Sequence, residues 1–317
     1  MRWFLFYAAF LLPMGLSGCH GQANGSATAA KHRQRSDVDG DKPIQIVATT
    51  GMVADLVEHV GKSQVKVTAL MGEGVDPHLY KPSGGDVARL HRADLIFYSG
   101  LHLEGRMGDV LAQIARGKPC VAVTEKLARE RLLQVGGEQF DPHVWFDVAL
   151  WSECLKLIEQ TLADFDPAHA ADYKRQAAAY RVQLAALDDW CRERIAAIAS
   201  ERRALVTAHD AFHYFGRAYQ IEVKAIQGVS TQAEAGVGDI NQLVDFISRR
   251  KIKAVFVESS VSERNIKAVV EGCAARGHHV EIGGQLFSDA MGAAGTAEGT
   301  YTGMVRHNIE TIRQALE

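Results

Sequence analysis

The sequence predicts an α/β protein with two βα lobes that contain parallel sheets and are joined by a single long helix. Short β-branched runs alternate with helical patterns along most of the chain, which is typical of parallel βαβ units. One uninterrupted stretch of helical periodicity separates two such series. The chain has 317 residues, 47% of them hydrophobic and 23% charged, which is enough material for two globular domains.

The first lobe is predicted from runs of β-branched residues bounded by Gly, Pro, Asp or Thr, and from apolar residues at helical spacing. The predicted strands are residues 44–48, 65–70, 95–98 and 121–123. The predicted helices are residues 53–60, 87–91, 107–115 and 148–163.

A long helix is predicted next. Asp166-Pro167 is a helix-start signal, because Asp can cap the first amides and Pro fits the first turn. Apolar residues then recur at steps of four and three, and neither Gly nor Pro interrupts the stretch from Ala168 to Ser200. A helix of about 35 residues would be about 50 Å long. We therefore expect it to lie across both lobes.

The second lobe repeats the rhythm of the first. The predicted strands are residues 204–208, 222–226, 254–257 and 280–282. The predicted helices are residues 212–219, 240–250, 265–275 and 303–316, with Ser262 as a candidate cap of the third.

The pattern at the N-terminus predicts that the protein is exported. Arg2 is followed by an apolar run from Trp3 to Leu12, which is too short to span a bilayer but is typical of a signal peptide. Leu16-Ser17-Gly18-Cys19 resembles the lipobox of bacterial lipoproteins, in which the thiol, here that of Cys19, is acylated. The alternative is an ordinary secretory peptide cut after Ala27-Thr28-Ala29. In either case the following Gly/Ala/Ser-rich, mixed-charge segment predicts a flexible tether.

The predicted organisation has five segments. They are a signal peptide (1–18), a tether (19–42), an N-terminal lobe (43–165), a linking helix (166–202) and a C-terminal lobe (203–317). The net charge of −3 argues against nucleic acid as the partner, because nucleic-acid binding usually needs a basic face. The remaining cysteines form no CxxC pair and predict neither a zinc ribbon nor a disulfide; they are Cys120, Cys154, Cys191 and Cys273.

Four candidate ligands follow predicted strands, where α/β sheets bind their ligands. His78 and His143 each lie in an Asp-Pro-His tripeptide, His209 directly follows a strand, and Asp289 follows the last strand. Three imidazoles and one carboxylate are a good donor set for zinc, iron, nickel, copper or manganese. Two ligands come from each lobe, so an ion would lie in the cleft between them.

Four motifs carry a resemblance to a known family. They are Asp76-Pro77-His78-Leu79-Tyr80-Lys81-Pro82-Ser83, Asp141-Pro142-His143-Val144-Trp145, Ala208-His209-Asp210-Ala211-Phe212 and Phe287-Ser288-Asp289-Ala290-Met291-Gly292. In this order they resemble the TroA-like zinc/manganese-binding lipoproteins of metal ABC importers, from about Ile44 to the C-terminus. The resemblance implies that His78, His143, His209 and Asp289 bind the metal, and that one long helix joins the two lobes.

Three carboxylates are candidates for holding a ligand imidazole in place: Glu258 at the end of a strand, and Asp76 and Asp141 in the Asp-Pro-His motifs. Turn formation explains the two Asp-Pro pairs equally well. His213 lies four residues after His209, a zinc-pair spacing, but His209 ends a strand, so we expect His213 to have a packing or surface role. The other histidines are expected to be structural or solvated.

The resulting hypothesis is a binding protein, exported and held at the membrane by lipid on Cys19. It would capture Zn²⁺ or Mn²⁺ as a monomer and deliver it to an ABC permease driven by its ATPase. A metal-dependent hydrolase is the alternative, but four protein ligands would close the metal shell, and the sequence contains no HExxH, GxSxG or P-loop motif. A surface adhesin is a third hypothesis, but the sequence contains no recognisable receptor-binding module.

Overall fold

A computed structural model describes residues 42–317 of the chain. The predicted signal peptide, Cys19 and all of the predicted tether except its last residue lie outside the described residues. The N-terminal half contains a parallel sheet in the order β2-β1-β3-β4. Its strands are β1 (Ile44–Ala48), β2 (Val65–Ala69), β3 (Leu95–Tyr98) and β4 (Cys120–Ala122). Its helices are α1 (Gly51–Gly61), α2 (Gly84–Arg92), α3 (Gly108–Ile114) and α4 (Val148–Phe165).

The C-terminal half contains two parallel strand pairs that lie beside each other. The pairs are β7 (Ala204–His209) with β8 (Glu222–Gln227), and β9 (Ala254–Glu258) with β10 (Glu281–Leu286). The amides of Ala208 and His209 donate to Glu258 and so join β7 to β9. The helices are α6 (His213–Tyr219), α7 (Val237–Arg250), α8 (Arg264–Ala275) and α9 (Tyr301–Leu316). The parallel pairing in both halves confirms the predicted α/β class.

Short polar side chains determine where several helices begin. The Thr50 hydroxyl accepts from the Val53 amide at the start of α1, and Ser83 and Asp86 form a capping box at the start of α2. Asp147 and Thr300 cap α4 and α9 in the same way. Each cap satisfies amides that have no partner inside the helix.

The linking helix is shorter than predicted. Helix α5 (Ala170–Ala196) has 27 residues and is about 40 Å long. A 3₁₀ turn (Pro167–His169) precedes it. At the other end the Arg203 guanidinium donates to the Ala196 and Ile198 carbonyls, both at 2.8 Å, so the chain leaves the helix there. This termination depends on a residue that follows the helix in sequence, which apolar periodicity does not detect.

Two further differences come from glycine and from very short strands. Strand β10 is longer than predicted because it continues through Gly283 and Gly284, with a register shift between Ile282 and Gly284. A Cβ on Gly283 would lie 2.6 Å from the Ala315 Cβ, so only glycine permits α9 to pack this closely. The antiparallel hairpin of β5 (Gln134–Gly136) and β6 (Gln139–Phe140) was not predicted, because two or three residues show no alternation.

One hydrophobic core extends through both halves of the described chain. Helix α5 packs against α1 and α4 of the N-terminal half and against α6 and α9 of the C-terminal half. Phe97 of β3, Trp151 of α4 and Phe256 of β9 are fully buried in this one cluster. Two smaller clusters lie elsewhere in the fold, one in each half. Because the halves share a core, we expect them to move little relative to each other.

The four cysteines within residues 42–317 are free thiols, three of them buried and Cys120 half-buried. In the same part of the chain, no helix combines the length and the apolar character that crossing a bilayer requires.

Candidate metal centre

The fold brings four side chains together from loops far apart in sequence. His78 lies in the loop after β2, and His143 lies after the β5–β6 hairpin. His209 is the last residue of β7, and Asp289 lies in the loop after β10. Three of these positions are at the carboxyl ends of parallel strands, where open α/β sheets bind ligands.

The four side chains converge on one point. His78 Nε2 lies 3.3 Å from His143 Nε2, and the Asp289 oxygens lie 3.4 Å from His143 Nε2 and 3.3 Å from His209 Nε2. One ligand atom from each residue lies within 4.8 Å of all the others. Ligand atoms that bind a single tetrahedral ion at about 2.1 Å lie about 3.4 Å apart. The separations therefore fit one divalent cation.

Asp141 holds His143 at two points. Its Oδ1 accepts from the His143 amide at 2.9 Å and lies 2.7 Å from the ring Nδ1. Both residues are fully buried. A carboxylate on Nδ1 fixes the tautomer of an imidazole and leaves Nε2 free to bind a metal. Tyr214 in turn donates its hydroxyl to the Asp141 carbonyl at 3.0 Å.

Glu258 holds His209 in the same manner. Its Oε2 lies 2.5 Å from His209 Nδ1, while its Oε1 accepts from the amides of Ala208 and His209, both at 2.8 Å. Glu258 is 2% exposed. One carboxylate thus joins two neighbouring strands and aims a ligand ring.

His78 is held through its backbone instead. Asp76 Oδ1 accepts from the His78 amide at 2.8 Å, and Asp76 Oδ2 accepts from the Thr231 hydroxyl at 2.6 Å. The Gln232 side chain donates to the His78 carbonyl at 3.3 Å. Within residues 42–317 no carboxylate is hydrogen-bonded to the His78 ring. Asp76 therefore positions the loop and not the imidazole, and it does so together with a loop of the C-terminal half.

The pKa values of the four groups follow from burial and from their neighbours. Burial lowers the pKa of His78 to about 4. Burial also opposes the charged form of His143, but the carboxylates beside it outweigh burial and raise its pKa to about 9. The pKa of His209 is raised well above its ordinary value for the same reason. The adjacent imidazoles hold the pKa of Asp289 well below its usual range despite burial.

The arrangement leaves polar atoms without satisfied hydrogen bonds. His209 Nε2 and both oxygens of Asp289 are buried, and within the described chain none makes a hydrogen bond of good geometry. Buried polar atoms in this state are costly unless something binds them. A divalent cation would bind all of them at once, so the donor set and its geometry fit such an ion.

Some contacts that organise the site had no local signal in the sequence. The Trp145 indole donates to the Ser288 carbonyl at 3.0 Å, and the Tyr301 hydroxyl donates to the Trp145 carbonyl at 2.6 Å. Thr231 and Gln232 act from a loop that follows β8. These partners are separated by 143 to 156 residues, so only the fold brings them together.

The remaining histidines lie outside the convergence point. His213 lies 3.1 Å from Asp210 and is 41% exposed, and His59 stacks on Tyr180 with ring centroids 3.7 Å apart. His278 is half-buried, and its Nε2 is hydrogen-bonded to the Ile252 carbonyl at 2.7 Å.

Comparison with known proteins supports the same conclusion. The model of the family described as zinc-uptake complex component A, periplasmic (ZnuA), matches residues 46–315. The chain is 49% identical over 318 residues to the manganese-binding lipoprotein MntA of Bacillus subtilis, and the match covers 100% of both chains. It is 47% identical over 308 residues to the zinc-binding protein TroA of Treponema pallidum, covering 97% of each.

A solved structure is also similar. The periplasmic zinc-binding protein TroA from Treponema pallidum superposes with a TM-score of 0.85 and 48% sequence identity. The superposition covers 86% of this chain and 99% of that protein.

Proposed function

Because this chain belongs to the family of zinc-uptake complex component A, we propose that it is the extracytoplasmic solute-binding component of an ABC importer for a divalent metal. The ion is its cargo. His78, His143, His209 and Asp289 bind the ion, which is then delivered to the membrane permease. The observation that carries the proposal is the convergence of these four buried side chains within 4.8 Å.

The site is built for binding and not for turnover. A catalytic zinc keeps one position open for water and needs a general base beside it. Here four protein groups fill a tetrahedral shell, and the nearby carboxylates Asp141 and Glu258 are engaged by ligand imidazoles. Relatives across the whole chain are named as metal-binding proteins, which favours a transport role over a hydrolase.

Zn²⁺ and Mn²⁺ are both proposed as cargo. The two relatives named for manganese and for zinc are 49% and 47% identical to this chain, so similarity does not separate them. The three imidazoles favour zinc, because nitrogen donors bind Zn²⁺ more tightly than Mn²⁺. The carboxylate extends the range toward manganese. We infer that the site takes either ion, that zinc binds more tightly, and that supply decides which is carried.

The protein is further proposed to act as a monomer anchored by lipid on Cys19, outside the cytoplasmic membrane. The lipobox-like Leu16-Ser17-Gly18-Cys19 supports the anchor, as do relatives named as lipoproteins. The segment 19–42 would be the tether, and 43–165 and 203–317 the lobes on either side of the linking helix 166–202. The partners are the permease and its ATPase.

The proposal is tested by metal content and by uptake. Purified protein, stripped with chelator and dialysed against one metal at a time, is expected to retain one equivalent of Zn²⁺ or Mn²⁺. Asp289→Ala and His209→Ala are expected to bind the metal much more weakly and to retain well below one equivalent, while keeping their circular dichroism spectra. A strain that lacks the gene should take up less of the metal and recover with the wild-type gene only. Full metal retention in both variants would overturn the ligand assignment, and normal uptake in the deletion strain would overturn the transport role.

A further inference from the structure

A cleft of about 990 Å³ leads from the surface to the metal centre. The four ligands are at most 2% exposed, and His78 is the one among them that lines this cleft. The wall also includes His213, Asp210 and Arg217. These side chains therefore share one cleft with His78.

His213 lies between two carboxylates along this route. Its Nε2 is 3.1 Å from Asp210 Oδ1, and its Nδ1 is 3.9 Å from Asp141 Oδ2. The His213 side chain is 41% exposed and that of Asp210 21% exposed, so both belong to the cleft wall. Asp141, by contrast, is fully buried.

Both carboxylate oxygens that face His213 lack a hydrogen bond of good geometry within the described residues. They are Asp141 Oδ2 and Asp210 Oδ1, and both atoms are buried. The other oxygen of Asp141 already holds the ligand ring of His143 at 2.7 Å. Asp141 therefore faces two imidazoles, one in the metal centre and one in the cleft.

We propose that His213 Nε2 and Asp210 Oδ1 form a second, outer site for a divalent cation, with Asp141 Oδ2 3.9 Å from the other nitrogen of the His213 ring. The proposal rests on the proposed function, because the cation is the cargo itself. The 3.1 Å separation of the two ligand atoms fits two donors on one ion. Imidazole with carboxylate suits Zn²⁺ and Mn²⁺.

The outer site binds weakly and exchanges quickly. It offers two protein ligands, so water completes the shell, whereas the inner centre offers four. Arg217 also lines the cleft. Its guanidinium donates to Asp147 at 3.1 Å and to the Arg131 carbonyl at 2.6 Å, and these two acceptors hold its charge in place. The outer site thus concentrates ions at the mouth of the route, and the inner imidazoles then replace the waters.

The test uses protein whose inner centre is already filled with one equivalent of Zn²⁺, to which Mn²⁺ is added. The free Mn²⁺ is followed by its electron paramagnetic resonance signal. Wild-type protein is expected to bind one further Mn²⁺ weakly. In His213→Gln and in Asp210→Asn, the affinity for this second ion is expected to fall about tenfold or more.

The matched control is His102→Asn. His102 is an exposed histidine on the wall of the same cleft, and its φ of 66° is one that Asn tolerates. The control should bind the second Mn²⁺ as wild type does. Stopped-flow mixing of metal-free protein with Zn²⁺ should also show slower loading in His213→Gln, with the final occupancy unchanged.

The outcomes separate the two proposals. If wild-type protein takes up the first Zn²⁺ but no second Mn²⁺, or if His213→Gln and Asp210→Asn bind the second ion normally, the outer site is wrong and the proposed function stands. If metal-free protein does not take up the first Zn²⁺, the proposed function itself fails, and the outer site fails with it. Zn²⁺ uptake by each variant reports that it has folded.

Discussion

The Trp145 indole N–H donates to the Ser288 carbonyl at 3.0 Å and so joins the loop of His143 to the loop of Asp289. Trp145 is fully buried, and the Tyr301 hydroxyl donates to its carbonyl at 2.6 Å. Contacts within the protein thereby hold two ligands that are more than 140 residues apart at a fixed spacing. Such preorganisation lowers the cost of ordering the site on binding.

Trp145→Phe should weaken both the fold and the metal centre. The change leaves the buried Ser288 carbonyl without its donor, which costs about 1–3 kcal/mol in free energy of unfolding. Urea denaturation of metal-free protein and calorimetric titration with Zn²⁺ measure the two effects.

Trp151→Phe is the matched control for that change. Trp151 is equally buried, but its indole nitrogen has no hydrogen-bond partner within residues 42–317. Phenylalanine therefore removes similar volume and no hydrogen bond. Equal losses of metal affinity in the two variants would contradict a special role for the Trp145–Ser288 bond.

Glu258→Gln should lower metal affinity about 10–100-fold. The Gln carbonyl can still accept from the Ala208 and His209 amides, so the strands stay joined. With metal on Nε2, however, His209 Nδ1 must keep its proton, and the Gln amide N–H₂ that would face it cannot accept that proton as the Glu258 carboxylate does. Competition with a chromophoric chelator measures the affinity.

Asp76→Asn provides the contrast. Asp76 accepts from the His78 amide and the Thr231 hydroxyl, and an Asn oxygen can still accept from the amide. We expect a smaller loss of affinity than in Glu258→Gln. A larger loss in Asp76→Asn would mean that the loop around His78, and not the tautomer of His209, limits binding.

Metal binding should release protons. The pKa of His143 is raised to about 9 and that of His209 is raised well above its ordinary value, so both are protonated in metal-free protein at pH 7.5. His78, with a pKa of about 4, is neutral there. Binding must displace about two protons, and affinity should therefore fall roughly 100-fold for each pH unit below 7.5.

The proton count is measured by calorimetry at pH 7.5 in buffers with different heats of ionisation. Affinities at pH 5.5 and 7.5 give the second check, because lower pH strengthens proton competition for both rings. Equal affinities at the two values, or a heat that does not depend on the buffer, would contradict a site in which carboxylates hold protonated imidazoles.

Thr231→Val should speed the release of bound metal. The Thr231 hydroxyl donates to Asp76 at 2.6 Å, and Asp76 in turn holds the His78 amide. Loss of a hydrogen bond to a carboxylate costs about 1.5–3 kcal/mol, which corresponds to roughly tenfold or more in a rate or an equilibrium. Thr231→Ser keeps the hydroxyl and should behave as wild type. The rate of metal release after a chelator is added can be measured in a stopped-flow instrument. Equal release rates in wild type, Thr231→Val and Thr231→Ser would show that the Thr231–Asp76 hydrogen bond does not control release.

Much of the fold could be predicted because burial leaves a periodic signal. The strands at 44–48 and 95–98 were predicted with their observed bounds, and the parallel βα pattern was confirmed in both halves. The end of α5 could not be predicted, since it is set by the side chain of Arg203 reaching back to the Ala196 carbonyl. The hairpin at 134–140 was too short to show alternation.

The metal centre, too, could be predicted only in part. The motifs around His78, His143, His209 and Asp289 indicated the four ligands, and the structure brings those four together. What holds each ring was only partly predictable: Asp141 and Glu258 contact the imidazoles of His143 and His209, whereas Asp76 contacts the backbone. The contributions of Trp145 and Thr231 depend on distant partners, so no local pattern marks them.

X-ray absorption at the zinc edge tests the central claim most directly. In protein loaded with one equivalent of Zn²⁺, we predict four nitrogen or oxygen ligands at about 2.0–2.2 Å, with multiple scattering from three imidazoles. His209→Ala, if it retains any zinc, should lose one imidazole contribution. A spectrum with sulfur ligands, with fewer than three imidazoles, or with no change in His209→Ala would contradict the assignment of His78, His143, His209 and Asp289 as the metal centre.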